Sequence, residues 1–114
     1  MDLIKFLRAR LDEDEELARA AGNRHWLVQD NTIDLYPEHE DDGYMRWPTR
    51  ADARHAAHWE PARVLREVEA KRALIKWVLD WPLRPSRPSS IDGVLERLAL
   101  AYSDHPDYRD EWKP

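Results

Sequence analysis

The stretch from Asp52 to Trp81, DARHAAHWEPARVLREVEAKRALIKWVLDW, constrains the fold more than any other part of the chain. It is the longest helix-compatible run, and it holds two histidines and three of the six tryptophans. Proline has no N–H to donate and a φ fixed near the helical value, so Pro61 suits the first turn of a helix and disfavours its interior. The spacing therefore predicts a short helix over roughly Asp52–Trp59 and a long one from Pro61 to about Asp80, with Glu60 at the N-cap position. At helical periodicity Val64, Leu65, Val68, Ile75 and Leu79 fall on one face, the stripe of a core-facing helix. Glu67 precedes Lys71 by one turn, an ion pair that adds only ~0.3 kcal/mol.

The last two turns of that helix break the amphipathic rule. Ala70, Trp77 and Trp81 lie opposite the Val68/Ile75 stripe, with Leu74 nearby, and a helix apolar all round must be covered on both sides. Two readings follow. Either the C-terminal helix or tail of the same chain covers this second face, or Trp77, Trp81 and Leu74 form a contact surface for a second copy or another protein. Tryptophan is enriched at interfaces and in their hot spots, which makes the second reading physically reasonable.

At 114 residues the chain is expected to form a single domain spanning 1–114. It has no cysteine, which rules out disulfides, thiolate metal sites and a cysteine nucleophile. The opening MDLIKFLRARLDEDEE has no apolar signal-peptide core, and no run is long and apolar enough to span a bilayer. A soluble, cytoplasmic protein with no membrane contact is expected. The formal net charge is −5, with 18 basic residues interspersed among 23 acidic ones. Such a surface disfavours nucleic acid, whose phosphates need a basic face.

Residues 2–21 read as a helix with Leu3, Ile4, Leu7, Leu11, Ala18 and Ala21 on one face, Asp2 as cap and Gly22-Asn23 as stop. Helical geometry places Asp14 on that apolar face, where a carboxylate requires a partner or marks a functional group. From His25 the period changes to two. Trp26 and Val28, then Ile33 and Leu35, alternate with polar neighbours around the turn residues Asp30-Asn31-Thr32, which predicts a hairpin. The polar loop 37–43 follows, and Tyr44–Trp47 reads as a third short strand. The long helix from Pro61 is the expected cover for this meander. Residues 82–90, PLRPSRPSS, form a Pro-rich linker, after which Ser90 is expected to cap a helix carrying Ile91, Val94, Leu95, Leu98 and Tyr102. Tyr108 and Trp112 in the final segment predict a docked tail, with Asp104 as a cap. The fold class is therefore α+β: an N-terminal helix, a small antiparallel β-meander of two or three strands, a short helix, a long central helix, and a C-terminal helix with a docked tail.

Three stretches, FLRARLDEDEE, EPARVLREVEAKRALI and LALAYSDHPDYRDEWKP, together resemble an uncharacterised family of short actinobacterial and actinophage proteins with a C-terminal LALxYxDHPDYRxEW segment. The resemblance implies no activity. Many such relatives carry a cysteine-rich insert, similar to a CxxC zinc knuckle, before the final segment. Here that region is DWPLRPSRPSSIDGVLERL and holds no cysteine. Trp77 and Trp81 also stand where the resemblance leads one to expect more polar residues.

Candidate chemistry is sparse. His55 and His58 share a helix face, and with Asp52 or Asp14 they could hold a divalent ion; as a plain reading they are surface histidines near a helix end. His58-Trp59-Glu60 matches the H-x-E of zinc deaminases but lacks the cysteines that chemistry requires. Glu13, Glu16, Glu67 and Glu69 could suggest a magnesium-dependent helical hydrolase, although Glu13 and Glu16 point away from the apolar face. The three glycines, at 22, 43 and 93, form no phosphate loop. No catalytic residue and no cofactor is assigned. The leading expectation is a small non-enzymatic interaction or modulator protein, host or phage related, acting as a homodimer or on a protein partner through Trp77 and Trp81. The alternative is a small metal-dependent enzyme using His55 and His58 with a carboxylate.

Overall fold

The computed structural model describes residues 2–22, 26–34, 44–81 and 91–114. The Pro-rich segment 82–90 with the expected cap Ser90, the polar loop 37–43 and the strand residue Leu35 lie outside the described residues. In chain order the elements are α1 (Leu3–Ala20), β1 (Leu27–Gln29), β2 (Thr32–Asp34), β3 (Tyr44–Arg46), α2 (Arg50–His58), α3 (Pro61–Asp80) and α4 (Asp92–Ala99). Two 3-10 turns follow, at Leu100–Tyr102 and Asp110–Trp112. This is the α+β order expected from the sequence. The chain divides into two compact units, one of Asp14–Glu67 and one of Met1–Glu13 with Val68–Pro114.

In the unit of Asp14–Glu67, the strands form one antiparallel sheet in the order β1-β2-β3. Gln29 pairs with Thr32 across the turn, and Asp30 there takes a φ of 56°. Aspartate is one of the few non-glycine residues that tolerates this left-handed region. Asn31 ties in the third strand, its carbonyl accepting from the Trp47 N–H at 2.7 Å and its Nδ2 donating to the Trp47 carbonyl at 3.1 Å. Val28, Ile33 and Met45 stand opposite one another across the strands and so share a face. Ile33 in the centre is fully buried, whereas the edge residues Val28 and Met45 stay exposed.

The helix that packs on β1 and β2 is α2. The expected cover, the long helix from Pro61, is thus corrected. Thr49 caps α2, its hydroxyl accepting the Asp52 N–H at 3.1 Å, so the helix begins at Arg50 rather than at Asp52. It therefore starts almost directly after β3. The fully buried Ala53 presents a small side chain that lets a helix lie close to a sheet. Gly22 stops α1 with a φ of 96°, its N–H donating to the Arg19 carbonyl at 3.0 Å. Ala21, which the periodicity places on the apolar face, is exposed at this helix end. Glu67 pairs with Arg63 at 3.4 Å instead of with Lys71.

The other unit is built around aromatic rings. Asp2 caps α1 as expected, its Oδ1 accepting the Lys5 N–H at 2.8 Å. Phe6, Leu7 and Leu11 of α1, Val68, Ile75 and Val78 of α3, Ile91 just before α4, and Leu95 and Ala99 of α4 are buried. Phe6 is the hub. Its ring centroid lies 6.4 Å from Tyr102, 5.6 Å from His105, 6.0 Å from Tyr108 and 5.0 Å from Trp112. Aromatic contacts of this kind, edge-to-face except for the tilted Phe6–Trp112 pair, add ~0.5–1.5 kcal/mol each beyond the burial of area. Tyr108 and Trp112 also meet edge-on at 5.7 Å, which accounts for a tail that docks. The final turn spans Asp110–Trp112 and has no side-chain cap, so Asp104 does not cap it.

Candidate functional site

Two faces of α3 behave differently. The residues Val68, Ile75 and Val78 go into the core. On the outer side Glu69, Ala70, Ala73, Lys76, Trp77 and Asp80 are all exposed. Trp77 is 43% exposed, and its ring meets that of the half-buried Trp81 edge-on, with centroids 4.5 Å apart. Leu74 is half-buried beside them in sequence. Lys76 and Asp80 flank the pair and are joined by an ion pair of 2.6 Å. The tail that the sequence offered as a cover for this second face instead carries its tryptophan, Trp112, to Phe6.

His55 and His58 lie in the last turn of α2, where a helix C-terminus favours positive charge. His55 is exposed, and its carbonyl accepts from the Trp59 N–H. The His58 ring nitrogen Nε2 accepts from the Arg63 guanidinium. Asp14 is half-buried and not left without a partner, in keeping with the cost of burying a lone carboxylate. Among the described residues no group of three or more His, Asp or Glu side chains is placed to hold a metal ion. Of the other carboxylates considered, Glu13 pairs with Arg10 at 3.5 Å and Glu67 with Arg63. His105 belongs to a turn: its Nδ1 accepts the Asp107 N–H at 3.0 Å, and the Arg10 guanidinium lies against the other side of its ring.

A feature the sequence reading did not raise is a cavity of about 290 Å³ in the unit of Asp14–Glu67. Asp14, Leu17, Trp26, Trp59, Pro61 and Val64 line it, with alanines of the α1 end. The Glu60 carboxylate accepts the Trp26 backbone N–H at 2.7 Å, which holds the start of the sheet against the start of α3. Trp59 is 47% exposed, and the Arg63 guanidinium stands 4.5 Å from its ring centroid. The available signal was that each tryptophan sits at a break between elements, Trp26 just before β1 and Trp59 between α2 and α3.

These observations define a small α+β protein that presents an aromatic pair on its long helix. The chain belongs to the family of unknown function DUF6221, which it matches over residues 1–114. No curated protein and no solved structure matches it. Among the described residues no helix is long and apolar enough to cross a membrane.

Proposed function

We propose that this protein is a small, non-enzymatic interaction protein that docks through α3, with Trp77, Trp81 and Leu74 as the contact and a second copy of the chain as its occupant. The observation that carries this reading is Trp77, exposed over 43% of its surface while packed edge-on against Trp81. A large indole left in water costs hydrophobic free energy that association recovers. Tryptophan held rigid by a neighbour is the residue type most enriched in binding hot spots.

The charges around the pair favour a second copy. A two-fold interface brings the same patch of each subunit together, so it must be self-complementary. With two α3 helices antiparallel about the midpoint between Arg72 and Ala73, Ala73 of each copy lies near the axis and Glu69 of one copy lies opposite Lys76 of the other. Ala70 and Ala73 are exposed and leave room for the backbones to approach. The setting we propose is modulation of a host or phage assembly in the cytoplasm. Sedimentation velocity over a series of protein concentrations tests the proposal. A mass that rises from monomer to dimer with concentration supports it, and a monomer across the whole series contradicts it.

A further inference from the structure

We infer that the cavity between α1, Trp26 and Trp59 is a binding site for an alkylammonium group, with the two indoles as its apolar walls and Asp14 as its counter-charge. The site lies entirely within Asp14–Glu67 and is separate from the aromatic pair on α3. Among the described residues the lining is apolar apart from one ionisable side chain: Leu17, Pro61 and Val64 supply aliphatic surface, Trp26 and Trp59 supply indoles, and Asp14 supplies a carboxylate. That combination selects a ligand with an apolar skin and a positive centre. A neutral hydrocarbon would leave the carboxylate desolvated, and an anion would meet it with repulsion. An ammonium carrying methyl groups satisfies both demands, since its charge is spread beneath carbon and is attracted to the faces of aromatic rings.

Two further observations point the same way. Trp59 already attracts a cation, because the Arg63 guanidinium stands 4.5 Å from its ring centroid, with its own charge offset by Glu67 at 3.4 Å. Asp14 is engaged with a neighbour, and a carboxylate has about four acceptor positions, so it retains capacity for a ligand. The cavity of about 290 Å³ is at the small end for ligand pockets, which fits a head group rather than a large molecule.

The test is a titration of the full chain with choline, followed through the indole N–H signals of the six tryptophans by heteronuclear NMR. The control probe is the uncharged isostere of choline in which carbon replaces nitrogen. The expected result is a saturable shift confined to the Trp26 and Trp59 signals, with the isostere weaker by about tenfold. Asp14→Asn should weaken choline binding by a similar factor with the rest of the spectrum unchanged. Trp59→Leu keeps an apolar wall at a half-exposed position and removes the π face, so it should lose the preference for choline over the isostere. Absence of a saturable shift, an equal response to both probes, or undiminished choline binding by either variant overturns the inference.

Discussion

Trp112 and Trp77 belong to the same compact unit, and each rests on a neighbouring aromatic ring, yet one is 7% exposed and the other 43%. Trp112 lies in a cluster in which Phe6 also meets Tyr102, His105 and Tyr108. Each ring there is held by others that are themselves held, so removing one loosens several contacts. Trp77 meets Trp81 edge-on and keeps 43% of its surface exposed. The same residue type thus serves the fold in one place and leaves surface unspent in the other. The difference lies in how many sides are closed.

Substitutions should separate the two. The largest effect is expected from Phe6→Ala, which empties the hub of the buried cluster. Truncating a buried phenylalanine costs about 3–5 kcal/mol, and chemical denaturation should show a loss of that order. Equal stability in this variant would break the contrast from the buried side. Ala53→Leu comes next. Overpacking where α2 lies on the sheet should cost about 1–3 kcal/mol, measured in the same way, and would confirm α2 as the covering helix. Thr49→Ala removes the cap of α2 and should lower stability by about 1 kcal/mol. Trp77→Ala should change the melting temperature little, because the side chain loses one ring contact and already faces water. A drop as large as that of Phe6→Ala would make Trp77 a core residue and end the interface reading. The smallest effect sharpens the self-complementary geometry: Glu69→Lys and Lys76→Glu should each weaken association, and the double variant should restore it. Failure of the double variant to recover would argue against an antiparallel arrangement about the midpoint between Arg72 and Ala73.

Much of the fold is legible because its signals are local. Pro61 sets the start of α3, Asp2 and Gly22 bracket α1, and the Asp30-Asn31 turn joins two strands of period two. What the sequence hides is tertiary. Nothing in the periodicity of α3 says that α2 takes the sheet, since α2 is short and its one buried residue is an alanine. Phe6 and Val78 are core residues that the chosen helical stripes passed over, because a helix touching several neighbours buries more than one narrow face. The aromatic pair of Trp77 and Trp81 is readable as a break in amphipathicity. The cavity with Asp14, Trp26 and Trp59 is not, because its walls come from α1, the approach to the sheet and the junction before α3. Asp14 stood out by position, but the indoles that give it a context are distant in sequence.

Trp77 is proposed as an interface residue rather than a structural one. Native mass spectrometry of the wild type beside Trp77→Ala, at matched concentration and with folding verified by circular dichroism, tests this most directly. The prediction is a dimer for the wild type and a folded monomer for the variant. A wild type that is monomeric, or a variant that dimerises as readily, contradicts it.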